Sequence, residues 1–148
     1  MRIYNGKTYI ENEKHDLRDL EEIVAILRNP EYGCSWDRKQ THESLRKCLT
    51  DETEEVLDAI NHKDNDNLCE ELGDLLLQIV FHAGLAEDAG AFNLADVIQT
   101  VSDKMIRRHP HIFGDADVPS TPEESRARWL EIKRQEKLKK EMRKNLNS

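Results

Sequence analysis

Residues 67–88 read NLCEELGDLLLQIVFHAGLAED. At about 100° per residue, Leu68, Leu72, Leu75, Leu76, Leu77, Ile79, Val80, Phe81 and Ala83 cover most of a helix's circumference. A helix apolar nearly all round belongs in the middle of a protein. Its remaining polar residues form one narrow stripe, with Glu71, Asp74, Gln78 and His82 within about 80° of each other. Glu71 and Asp74 are acids at i and i+3. The polar turn Lys63-Asp64-Asn65-Asp66 precedes the stretch, and Gly90 stands where a helix ends. The stretch predicts a central helix from about Asn67 to Asp88 that carries acids on a restricted face.

The preceding segment has the same peculiarity. A helix opening at Thr41 or His42 and running to about His62 has Leu45, Cys48, Leu49, Val56, Ala59 and Ile60 as its apolar stripe. Taking Leu45 as zero, Glu52 falls near about −20° and Glu55 near about −80°, while Glu54 points away near about 180°. Two more acids, again i and i+3, thus lie on or beside a core face. A short turn joins the two helices, so they pack antiparallel. The spacing lets four carboxylates face one another between them. A buried carboxylate is costly unless protonated, paired or metal-bound. Pairing with Arg or Lys from neighbouring helices is one resolution. A hard, oxygen-preferring ion such as Mg²⁺ or Mn²⁺ is the other. Spacing for a His- or Cys-based zinc site is absent.

Outward from this hairpin the periodicity stays helical. Asp16 caps a helix with Leu17, Leu20, Ile23, Val24 and Leu27 on one face, ending near Asn29-Pro30. Asn93 caps a fourth helix that stops before Pro110, and residues 110–120 read as a loop. Thr121-Pro122-Glu123-Glu124 combines a capping box with Pro at the first helical position and opens the last helix. No convincing strand or internal repeat is present. The expected fold is all-α, a bundle of about four to five helices. Residues 1–137 form the domain, and 138–148 form a basic C-terminal tail. The central helix needs more apolar cover than the other short helices provide, so a homo-oligomer is expected.

The chain has 148 residues, one domain's worth. It is 35% charged and 37% hydrophobic, with a formal charge of −8. Residues 126–148 hold nine Lys or Arg against three Glu, which leaves the rest of the chain strongly acidic. Such a body is a poor general nucleic-acid binder. Phosphate handling by it requires local neutralisation, most simply by a divalent cation. No apolar run approaches a membrane span, and the first sixteen residues carry no signal-peptide core. Cys34, Cys48 and Cys69 have no paired spacing, so no disulfide framework is expected and the thiols read as small buried hydrophobes. The chain is expected to be soluble, reduced and cytoplasmic.

The acid pattern Glu52-x-x-Glu55 … Glu71-x-x-Asp74 resembles the signature of the all-α nucleoside triphosphate pyrophosphohydrolases, and within them the MazG family. Four further stretches carry the resemblance: CSWDRKQTH at 34–42, EELGDLLLQIVFH at 70–82, KMIRRHPHIFGD at 104–115, and Trp129-x-x-x-Lys133. It spans roughly residues 15 to 137. Two departures stand out: Ser35 replaces the Pro of many relatives, and Asp51 stands where relatives often have Glu.

The resemblance implies Mg²⁺-dependent cleavage between the α and β phosphates of nucleoside triphosphates. The products are a nucleoside monophosphate and pyrophosphate, in a house-cleaning role against unusual nucleotides. It implies Glu52, Glu55, Glu71 and Asp74 as catalytic metal ligands. It gives Lys104 and Arg108, one helical turn apart, as triphosphate contacts, with Trp129 and Trp36 near the nucleotide. It also implies a dimer or tetramer. Its motifs are closest to those of the N-terminal domain of two-domain relatives. That keeps open the alternative of a catalytically weak nucleotide-binding or regulatory and dimerisation module on the same scaffold.

Overall fold

The computed structural model describes residues 3, 4, 6–11 and 13–146, the last by its backbone alone. The final two residues of the basic tail, and residues 1, 2, 5 and 12 of the N-terminal segment, lie outside the described residues. The chain divides into two compact units, residues 1–94 and 95–148.

The first unit is built on three helices. Asp16 caps α1 (Leu17–Arg28), accepting from the Arg18 and Asp19 amides, and the Asp19 carboxylate accepts from the Asp16 amide at 2.8 Å. This reciprocal box fixes the start that the sequence predicts. Asn29 ends the helix ahead of Pro30. A loop with one 3₁₀ turn, Asp37–Lys39, leads to α2 (Arg46–His62).

α2 starts later than Thr41 or His42. The Thr41 amide donates to the Ser44 hydroxyl at 2.9 Å, and the Ser44 amide donates to Thr41 Oγ1 at 3.2 Å. These bonds hold residues 41–44 in a turn, side chain competing with helix for the same backbone groups.

α3 (Asn65–Asp88) follows almost at once. Lys63 takes the left-handed conformation at φ 56°, and Asp64 caps α3 by accepting from the Asn67 amide at 3.1 Å. The two-residue link makes α2 and α3 an antiparallel hairpin. α3 begins two residues before its predicted start because Asp64, inside the expected polar turn, is the cap. Gly90, at φ 68°, closes its C-terminus.

Val24, Leu45, Val56, Ala59, Val80, Phe81, Ala83, Ala86 and Leu94 form the core of this unit. α3 is less enclosed than its sequence implies. Leu72, Leu76 and Ile79 on one flank stay exposed, as do Leu57 and Ile60 of α2. The thiol expectation also needs correction: Cys34 and Cys69 are exposed and only Cys48 is half-buried. Cys34 is placed by its backbone, whose amide donates to the Leu27 carbonyl at 2.8 Å, so its side chain is not held in the core.

The second unit holds the rest of α4 (Leu94–Arg108), the single turn α5 (Pro110–Phe113) and α6 (Pro122–Leu146). α5 interrupts what reads as a loop. Pro110 occupies the first helical position, which suits its fixed φ and missing N–H. His109 Nδ1 bonds the Met105 carbonyl at 2.7 Å, and the Ile112 and Phe113 amides both donate to the His109 carbonyl. Thr121 caps α6 from the Glu124 amide, while the Glu124 carboxylate reaches the Ser120 amide at 2.8 Å. α6 runs unbroken into the tail as far as residue 146. None of the described side chains of this unit is fully buried. Among the described residues no helix is long and apolar enough to cross a membrane.

Candidate metal centre

The hairpin brings the acids of α2 and α3 together. Glu52, Glu55 and Glu71 each offer a carboxylate oxygen, and these atoms lie within 4.8 Å of one another. Asp74 stands close enough to act electrostatically on both Glu52 and Glu71, but its oxygens are outside that tight triad. Glu52 and Glu71 are half-buried, as the helical wheel requires of positions on or beside a core face.

No cation compensates this charge. Among the described residues no Lys, Arg or His is ion-paired with any of the four acids. Asp51, the neighbouring acid, is engaged elsewhere: Lys47 Nζ donates to both its oxygens, at 2.6 and 2.8 Å. The crowding instead raises the proton affinity of Glu52 and Glu71. Burial pushes Glu52 above the usual carboxylate range, and the charges of Asp74, Glu55 and Asp51 add to it. Burial likewise raises Glu71, helped by the charge of Glu55 and a hydrogen bond with it. Crowded like charges without a basic partner behave this way.

The donor set fits one class of ligand. Carboxylates alone, from rigid helices, suit a hard divalent cation and not zinc or copper. Protons compete with the ion for the same oxygens. Mg²⁺ affinity measured by calorimetry is therefore expected to fall as pH drops from neutral, starting above the range of an ordinary carboxylate.

The stability sign follows from the same shift. A carboxyl raised in the folded state adds stability when protonated and loses it as pH rises through the raised value. Without divalent ions, Glu71→Gln is then expected to melt higher than the native chain at neutral pH. That gap closes as the pH falls below the usual carboxylate range. Thermal melts with EDTA at several pH values check this.

The second unit contains the other expected site residues. Lys104 and Arg108 lie on α4, Trp129 on α6. The Arg108 guanidinium sits over the Trp129 ring, 4.9 Å from its centroid, and Lys133 Nζ approaches the same ring at 5.2 Å. Arg108 also donates twice to Glu136 Oε2, at 2.7 and 3.0 Å, while Arg107 Nε donates to Oε1 at 2.6 Å. These bonds hold the Glu136 carboxyl below its usual range. Glu136 went unnoticed in the sequence although a signal was there. It lies seven residues after Trp129, hence on the same helical stripe. Trp36, in the first unit, is 55% exposed at the head of the 3₁₀ turn, where its carbonyl accepts from Gln40 Nε2 at 2.9 Å.

Comparison with known proteins places the chain in a family. Residues 40–113, half of the chain, match the model of the MazG nucleotide pyrophosphohydrolase domain. The chain belongs to the MazG family. The MazG match contains all four acids together with Lys104 and Arg108. Among curated MazG relatives, the nucleoside triphosphate pyrophosphohydrolase/pyrophosphatase MazG of Thermotoga maritima is 54% identical over 124 residues, covering 82% of this chain and 46% of that protein. The nucleoside triphosphate pyrophosphohydrolase of Escherichia coli K12 is 46% identical over 118 residues, covering 80% of this chain and 44% of that protein. The chain spans about half the length of these curated relatives. A crystal structure of a mazG-related protein from Thermotoga maritima superposes with a TM-score of 0.60 at 32% identity, covering 77% of this chain and 98% of that one.

Proposed function

We propose that this chain hydrolyses nucleoside triphosphates to the nucleoside monophosphate and pyrophosphate with the help of Mg²⁺, or Mn²⁺. The observation that carries the reading is the convergence of Glu52, Glu55 and Glu71 within 4.8 Å with no basic partner. When bound, a divalent ion supplies positive charge against the phosphate oxygens and polarises water. Glu52, Glu55, Glu71 and Asp74 would hold it. A carboxylate not fully engaged as a ligand, which we take to be Glu55, orients the attacking water and receives its proton. Lys104 and Arg108 bind phosphate oxygens, a task for which Arg108's planar fork is held in place by Trp129 and Glu136. Trp129 and Trp36 contact the nucleoside. The names of the relatives support the reaction class. The preferred nucleotides are unusual or damaged ones, in keeping with a house-cleaning role.

The test is pyrophosphate release from a panel of ordinary, deoxy and oxidised nucleoside triphosphates, with Mg²⁺ and with EDTA. Release that requires Mg²⁺ is the expected result. Calorimetric binding of Mg²⁺-nucleotide without any release would favour a module that holds nucleotide and does not cut it.

We further propose that the exposed flank of α3, Leu72, Leu76 and Ile79, is covered by a second copy of the chain. Each is already more than half covered, so covering the rest contributes about 0.6–1.5 kcal/mol. Sedimentation is expected to give a dimer or tetramer, and Leu76→Glu a smaller species. A monomeric native chain contradicts this.

A further inference from the structure

Beside the C-terminal half of α3, α1 and the 3₁₀ turn bring a concentration of charge of the opposite kind. Arg28, in the last turn of α1, is only 9% exposed in its side chain. Its guanidinium lies over the Phe81 ring, 5.4 Å from the centroid. The seat is made by Gly84, since a Cβ at that position would collide with Arg28 Nη1. Its one carboxylate partner is Asp88, an ion pair through Nη2, and Asp88 is 73% exposed. An exposed partner is strongly screened and compensates a buried cation poorly. The remaining guanidinium donors have no protein acceptor among the described residues, and they are not sealed from solvent.

Arg28 lines a cavity of about 470 Å³ at this end of the first unit. Arg38 and Lys39 line the same cavity, against the carboxylates of Asp37 and Asp88. Arg38 is anchored at the rim by donating to the Pro30 carbonyl at 2.7 Å. Lys39 has no ion-pair partner among the described residues. Three cations around one cavity stand out in a body that is otherwise strongly acidic. A guanidinium over an aromatic ring, with donors beyond those its ion pair uses, can donate to the oxygen of a phosphoryl group. Leu85, which also lines the cavity, is eleven residues beyond Asp74 on one helix, about 16 Å along its axis. The acid centre therefore does not share this cavity.

We propose that this cavity is a second, metal-independent anion site, which takes a small phosphate-bearing ligand with its phosphoryl group on Arg28 and its remaining charge on Arg38 and Lys39. The chemistry is common to free pyrophosphate and to a nucleotide phosphate, so both are probed. The full chain is titrated in excess EDTA with pyrophosphate, orthophosphate or adenosine monophosphate. The readout is the amide and Arg Nε–H resonances. Saturable shifts are expected at Arg28 Nε–H, at residues 35–40 and at 85–88, whichever probe binds tightest. That probe identifies the source. Arg28→Lys keeps the charge but loses the fork, and is expected to weaken binding by about tenfold or more. The double variant Arg38→Gln with Lys39→Gln changes only exposed side chains, so the fold is retained, and it is expected to weaken binding similarly. No saturable shift with any probe overturns the proposal. Shifts confined to the acids of α2 and α3, or unchanged affinity in the double variant, do so equally.

Discussion

Replacing Glu71 by Gln is expected to lower Mg²⁺-dependent turnover by about 10²–10⁴-fold while leaving the helix content unchanged. The substitution keeps shape and removes one of three converging carboxylates. Metal assistance contributes several kcal/mol to transition-state charge stabilisation, and each 1.4 kcal/mol is about a factor of ten in rate. Glu52→Gln is expected to behave alike. Asp74→Asn separates two arrangements. A fall of similar size means that Asp74 rotates in to complete a four-carboxylate set, whereas a small fall means that three suffice. Parallel calorimetry is expected to show Mg²⁺ affinity falling with turnover. A Glu71→Gln protein that binds Mg²⁺ and turns over normally would remove these carboxylates from the site.

Phe81→Ala is the substitution expected to destabilise the chain most. Phe81 is 4% exposed at the centre of α3. Its loss leaves a cavity in the core and takes away the ring beneath Arg28. The expected cost is about 3–5 kcal/mol. That is a large share of the total of about 5–15 kcal/mol available to a domain. Chemical denaturation measures it. Phe81→Leu retains most of the volume and is expected to cost less than half as much. The consequence reaches function because α3 bears two of the four acids, so partial loss of this helix end loosens the hairpin that aligns them. Equal stability of the native and Phe81→Ala chains would mean that the core does not centre on α3.

Much of this was legible in the residues. Helical periodicity located α1, α2, α3 and α6 to within a few residues. The wheel positions of Glu52 and Glu55, on and beside a core face, with Glu71 and Asp74 opposite, pointed to an acid cluster, although Glu55 itself is exposed. What escaped depends on contacts distant in sequence or on side-chain competition. Thr41 and Ser44 bond each other's backbone and hold off the start of α2. Glu136 grips Arg107 and Arg108 across 28 and 29 residues. Arg28 finds its seat only because residue 84 is Gly and residue 81 an aromatic ring. Asp74 stays outside the tight triad, and periodicity carries no information about where a carboxylate's oxygens come to rest. The apolar flank of α3 is a further example. Its residues were identified, but the wheel does not say which of them the chain itself covers.

Phosphorus NMR of a nucleoside triphosphate incubated with the purified chain and Mg²⁺ tests the central claim most directly. The account predicts that triphosphate signals give way to monophosphate and pyrophosphate in equal amounts. It also predicts that neither product forms with EDTA or with Glu71→Gln. Orthophosphate as the primary product, or identical spectra from the native and Glu71→Gln chains, would contradict it.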